Sequence, residues 1–309
     1  MEKLDTKKVT QLCSYLNYAV CRNKETWTKK YSMRIKLCLF YIVISLTNYT
    51  FCKNTEKTNS KINNMSTFIK MHGTYQIAAI CKDGIVVGTD TRCSIDDGNR
   101  HIMCYYDSVQ KVFPFKNYAI SSSGSMLING KYLFYYYKQF EAANLNKEKM
   151  SENVKSFFDY MFKRYPEAAS VIERTNKLIF AGYEGKTPVL FIAAKGQLQG
   201  VGDTGFVCED NLCDFQYNSN LTCIEMAKVI EQSIVNYVKK YNKELEINTH
   251  ISILKIDIKN QSSWILNPPV LDKWEELGDF INAYKTNKIS LNFTSERNKE
   301  LIIKELSRY

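Results

Sequence analysis

Residues 71–94 read MHGTYQIAAICKDGIVVGTDTRCS, and their pattern decides the fold. After Gly73-Thr74 comes an apolar, β-prone run at 75–80 (YQIAAI), then Lys82-Asp83-Gly84, then a second apolar run at 85–89 (IVVGT). Two such runs around an Asp-Gly turn predict a β-hairpin. The hairpin ends on Asp90 and Arg92, and Asp90 lies sixteen residues after Thr74.

Downstream, 109–115 (VQKVFPF) and 118–124 (YAISSSG) form a second expected strand pair around Lys116-Asn117. The interval 93–107 between the two pairs reads as a variable stretch, with His101 in a loop. From Met126 to about Asn144, apolar residues recur at three- and four-residue steps, predicting a helix. A second helix is predicted over Ser151–Tyr165, capped by Ser151 and ended by Pro166. Strands return at 177–184 and 188–195, followed by a glycine-rich stretch at 196–205. A third helix is predicted over Cys223–Tyr241 with Thr222 as its cap, then an alternating strand at 250–258 that begins on His250. Helices are thus grouped between runs of strands, which argues against a doubly wound parallel sheet. The order fits an α+β, four-layer αββα sandwich of two antiparallel sheets between helix layers.

The charge is unevenly placed. The whole chain carries 42 Lys/Arg against 32 Asp/Glu, but residues 1–73 hold 13 against 4, leaving the remainder near neutral. The basic balance therefore belongs to the N-terminal segment, which disfavours a nucleic-acid-binding domain. One apolar run in that segment, Leu37–Leu46, is too short for a spanning helix of about 20 residues. With Arg34 and Lys36 before it, it resembles the core of a secretory signal if translation starts at Met33. Three readings of 1–73 stay open: a propeptide or an extended gene model, a secretory signal, and a membrane-anchored form. None of the ten cysteines falls in a CxxC pair or zinc spacing, Cys208 and Cys213 in CEDNLC coming nearest. Reduced thiols, no metal and no cofactor are expected. The expected location is cytoplasmic and nuclear, with a secretory route as the alternative if 34–46 is a signal.

The set HGT (72–74), KDGIVVGTDTR (82–92), QKV (110–112), SSSG (121–124) and AGYE (181–184) resembles β-type subunits of the 20S proteasome, in the N-terminal-nucleophile (Ntn) hydrolase superfamily. The resemblance spans about residues 71–258. It implies an extension at 1–73, an Ntn-hydrolase domain at 74–258 and a C-terminal arm at 259–309. It also implies a threonine-type endopeptidase that degrades unfolded proteins after cutting itself between Gly73 and Thr74. Thr74 would be the nucleophile, with its freed α-amine as base; Asp90 and Lys111 would support it, and the Gly124 N–H would meet the oxyanion. Implied partners are other α and β subunits of a stacked ring and unfolded polypeptide, with no nucleic acid or membrane. The alternatives are a non-catalytic ring subunit and a different Ntn amidohydrolase. The chain departs from the family pattern at Tyr75, in the longer Asp90–Lys111 interval and at Gly202-Asp203-Thr204-Gly205. It departs again in KELEINTHIS (243–252), where Glu244 and Asn248 are the candidate substitutes for a missing supporting aspartate.

Overall fold

A computed structural model describes residues 70–307, apart from 74, 100, 146, 202–204, 210–213 and 267–273. Every described residue lies in one compact unit, Met65–Tyr309. The apolar run at 37–46, and with it the signal and anchor readings, lies outside the described residues, as do Asp203 and Cys213. Among the described residues no helix is long and apolar enough to cross a membrane.

The strands are β1 (Lys70–Gly73), β2 (Gln76–Cys81), β3 (Gly84–Asp90), β4 (Arg92–Asp96), β5 (Ile102–Asp107), β6 (Val112–Pro114) and β7 (Tyr118–Ser125). A two-residue pair, β8 (Leu127–Ile128) and β9 (Lys131–Tyr132), leads into helices α1 (Leu133–Ala142), α2 (Met150–Arg164) and α3 (Pro166–Thr175). Strands β10 (Lys177–Glu184), β11 (Thr187–Ala194), β12 (Gln197–Gly200) and β13 (Phe206–Cys208) precede helix α4 (Cys223–Tyr241). The chain continues through β14 (Ile251–Ile256), β15 (Ser262–Leu266), α5 (Leu277–Lys285), β16 (Asn292–Phe293) and α6 (Glu296–Leu306).

These elements build two main antiparallel sheets. One runs β12-β11-β10-β7-β1-β4-β5-β16 with β6 beside β7; the other runs β13-β2-β3-β14-β15. The predicted 75–89 hairpin is β2–β3, with Cys81 opposite Gly84 and Gln76 opposite Thr89. Its two-residue side-chain period serves two cores. Ala78, Ile85 and Val87 join Val112, Ala119, Ile179 and Ala181 of the other sheet in one buried cluster. The alternate residues Ile77, Ala79 and Val86 pack instead with Met226, Ile230 and Ile234 of α4. A third cluster joins the larger sheet to α1–α3 and includes Trp274, Phe280, Ile281 and Ile302.

Some local readings change. The helix predicted from Met126 starts at Leu133, because Asn129 and Gly130 both take positive φ (51° and 74°) and turn β8 back on β9. Pro166 opens helix α3 instead of only ending α2: proline at the first helical position loses no bond and presets φ. Ser151 caps nothing; α2 begins at Met150, and the Glu184 carboxylate accepts from the Met150 and Ser151 N–H groups (2.8 and 3.3 Å). Thr222 does cap α4, in a capping box with Glu225. The variable interval after Asp90 is a hairpin, β4–β5, that widens the larger sheet. Beyond residue 258, β15 pairs with β14, β16 with β5, and α5 and α6 bury Phe280 and Ile302 in the large core.

Candidate functional site

The hairpin delivers Asp90 to the end of β3 with no solvent exposure, and Lys111 is equally buried. Asp90 Oδ1 accepts from the Lys111 ammonium (2.8 Å) and from the Tyr75 N–H (3.0 Å), while Oδ2 accepts from the Arg92 N–H (3.0 Å). A buried ion pair is tolerable only where further hydrogen bonds satisfy the charges, and the two backbone donors supply them on the acid side. The backbone on the C-terminal side of Thr74 is also tied to Asp90, whose own N–H donates to the Tyr75 carbonyl (3.3 Å). Thr74, the expected nucleophile, lies outside the described residues.

Gly73 brings the other side of that position onto the lysine. A methyl on its Cα would stand 2.8 Å from Lys111 Cε and 3.2 Å from Nζ. Asp90 holds Lys111 there, so a side chain at residue 73 would have to displace the lysine from its pair. Gly73 pairs with Gly124 across β1–β7. Gly124 has φ +96°, and a Cβ there would fall 2.2 Å from the Thr175 carbonyl oxygen, so conformation and space both require glycine. The structure therefore brings Gly73, Asp90, Lys111 and Gly124 into one neighbourhood. A cavity of about 750 Å³ opens on it, lined by His72, Gly73, Ser94, Asp96 and Gly124 among others.

The strand that ends at this point, β1, lies between β4 and β7. His72 pairs with Ser94 on one side and Ser125 on the other. Residues 70–73 thus occupy a strand-shaped slot in the sheet.

Three further groups support the site: Gln76 and Arg92, which were given no supporting role from sequence, and Asn248, one of two candidates there. Gln76, fully buried, reaches from the smaller sheet to the larger. Its side chain accepts from Ser121 Oγ (2.5 Å) and donates to Ser123 Oγ (3.2 Å) and the Lys177 carbonyl (2.9 Å). Ser121 and Ser123 are therefore polar contacts between the sheets. Arg92 forms a two-pronged pair with Asp107 (2.7 and 2.8 Å), lies over the Tyr105 ring and donates to the Glu244 carbonyl. Asn248 clamps Thr91: it accepts from the Thr91 N–H and donates to its Oγ1, both at 3.0 Å. Of the two candidates in KELEINTHIS, Asn248 thus braces the residue beside Asp90 through its side chain, whereas Glu244 serves through its carbonyl. The signal for Asn248 was present only as a lone amide before a strand.

Tyr75 packs in the α4 core, its ring tilted 41° against Tyr237 with centroids 4.4 Å apart, so a large residue after Thr74 is accommodated there. Burial pushes the Cys93 thiol up to about 12 against the pull of the nearby Lys111 ammonium. Cys81, Cys93, Cys104 and Cys223 are free thiols, but Cys208 is disulfide-bonded, contrary to the expectation of reduced cysteines.

No model of a known protein family and no curated protein matches the chain. Among solved structures it is similar to a Gly-1 mutant of Anbu from Hyphomicrobium sp. strain MC1, at 17% identity and TM-score 0.45, over 70% of this chain and 97% of that one. It is also similar to Anbu, described as an ancestral beta-subunit, from Yersinia bercovieri, at 13% identity and TM-score 0.46, over 63% and 88% of the two chains. The resemblance to a 20S proteasome β-type subunit is corrected by these findings: the likeness found is to Anbu.

Proposed function

We propose that the chain is a self-processing threonine-type endopeptidase with a proteasome-like β-type fold, its two sheets and outer helices forming a four-layer αββα sandwich. The observation that carries this reading is the fully buried Asp90–Lys111 pair, in contact with the residues on both sides of Thr74.

The chemistry follows from those positions. A threonine hydroxyl is a weak nucleophile and needs a base. In self-processing, Thr74 Oγ attacks the Gly73 carbonyl carbon, the peptide nitrogen leaves, and an ester links residues 73 and 74. Water then hydrolyses that ester, giving a carboxylate on Gly73 and a free α-amine on Thr74. An α-amine has an ordinary pKa near 8. The Lys111 ammonium favours its neutral form, which can take the hydroxyl proton. Gly124 offers its backbone N–H to the oxyanion, where one such donor contributes about 3 kcal/mol. After cleavage, the slot between β4 and β7 receives an extended unfolded polypeptide by strand addition. Equivalent subunits are proposed to assemble in a ring.

Intact mass of the purified full-length protein tests the reading. A chain beginning at Thr74, with fluorogenic-peptide turnover that Thr74→Ala abolishes, is expected. Wild-type protein that always begins before Thr74, or processing that persists in Thr74→Ala, overturns it.

A further inference from the structure

Strand β1 shows how its slot distinguishes one polypeptide from another. Its side chains alternate: Lys70 is exposed, Met71 is 1% exposed, and His72 lines the cavity. Met71 is seated in the large apolar core, where its sulfur accepts from the buried Tyr132 hydroxyl (2.9 Å) and its carbonyl from the Met126 N–H (2.7 Å). His72 Nε2 lies 2.9 Å from Asp96 Oδ2. The Asp96 side chain is only 7% exposed, and its other oxygen accepts from the Gly98 N–H (2.6 Å). Asp96 is therefore a held carboxylate with one oxygen directed at the slot. With β1 removed, that oxygen and the Tyr132 hydroxyl lose partners inside the fold, and a methionine-sized apolar hole opens. Unsatisfied buried polar groups and cavities are both costly, so an incoming strand is favoured when it repairs both.

We propose that the slot selects extended polypeptide with a long apolar residue three positions before the scissile bond, placed against Tyr132, and a basic residue two positions before it, placed against Asp96. The inference rests on the peptidase reading for where that bond lies. Residue 73 sets the third element, since a side chain there would displace Lys111 from Asp90.

The test separates the two readings. In full-length Thr74→Ala protein, hydrogen exchange at residues 71–73 reports how firmly the slot holds its strand. His72→Glu and Met71→Ala are each expected to raise that exchange about tenfold or more. Adding Asp96→Lys to His72→Glu is expected to restore it, with exchange in Ile251–Ile256 reporting that the fold is intact. Where Asp96→Lys does not fold, Asp96→Asn replaces it and is expected to raise exchange on its own. Unchanged exchange in His72→Glu or Met71→Ala, no rescue by the swap, or no rise in Asp96→Asn overturns the assignment. With processed wild-type protein, peptides ending Met-His-Gly are expected to turn over about tenfold faster than Met-Glu-Gly or Asp-His-Gly. Equal turnover overturns the selectivity. No turnover of any peptide, with the leader intact, defeats the peptidase reading, and the exchange result still decides what the slot recognises.

Discussion

Strand β3 has an aspartate–lysine pair at each end, and the two pairs differ in almost everything but chemistry. At its C-terminal end Asp90 meets Lys111 at 2.8 Å with both side chains wholly buried. Just before its first residue Asp83 meets Lys255 at 2.6 Å, with the carboxylate 41% and the lysine 24% exposed. The exposed pair is screened by water and holds its side chains at an entropic cost, so its net worth is about 0–1 kcal/mol. The buried pair is not a device for stability, because hydrophobic residues could fill the same space at equal or lower cost. The same two residue types are a surface detail at one end of the strand and the centre of a candidate active site at the other.

The largest effect expected follows from breaking the buried pair. Lys111→Ala leaves Asp90 charged without its partner and opens a hole, so a loss of about 3–5 kcal/mol is expected in urea unfolding, together with loss of processing at Gly73–Thr74. Lys111→Met restores much of the volume and is expected to recover part of the stability and none of the processing. If Lys111→Ala costs no more than Lys255→Ala, the contrast between the two ends of β3 is wrong.

Gly124→Ala comes next. The left-handed backbone alone costs a non-glycine residue about 1–3 kcal/mol, and the Thr175 carbonyl, 2.2 Å from the new methyl, must also move. A stability loss and impaired processing are expected together, measured by urea unfolding and intact mass. Asn248→Ala removes two buried hydrogen bonds to Thr91 and is expected to cost about 1–3 kcal/mol. It acts on the Asp90 side of the site, so slower self-cleavage with an intact fold is the sharper readout.

These residues differ in how readily the sequence disclosed them. The β2–β3 hairpin was legible because Asp83-Gly84 is a turn signal and because the alternation of Ile77, Ala78 and Ala79 is local. Asp90 and Lys111 were legible by their order in a family-like motif set. Asn248 was legible only as one of two candidates, because it lies 157 residues from Thr91 and the two meet only when β14 pairs with β3. The β4–β5 hairpin was hidden by a polar turn at Asp97-Gly98-Asn99, which reads as loop unless its two arms are matched. The segment beyond residue 258 looked like a charged arm because helix α6 exposes Lys and Glu on most of its surface. Only Ile302 and Leu306 of that helix are buried. The β1 slot could not be read at all, since its three strands come from residues 70–73, 92–96 and 118–125.

The smallest expected effect belongs to the exposed pair and is separable by pH. Burial works to raise the Asp83 pKa, but the hydrogen bonds from Lys255 and from the Cys223 N–H outweigh it and bring the carboxyl down from 3.8 to about 2. A carboxyl depressed in the folded state contributes stability above its unfolded pKa and loses it as pH falls through the folded value. The contribution is therefore complete above about pH 5 and fades between about pH 4 and pH 2. Lys255→Met is expected to cost less than about 1 kcal/mol at pH 7. Asp83→Ala is expected to cost more, about 0.5–2 kcal/mol, because Asp83 Oδ1 also accepts from the Cys223 N–H (2.7 Å) at the start of α4. Urea unfolding at pH 7, 4 and 3 checks both, and the gap between wild type and Asp83→Ala should narrow toward the lowest pH. A gap that widens on acidification would mean that Asp83 is held in its protonated form, and the two ends of β3 would then differ in charge state as well as in burial.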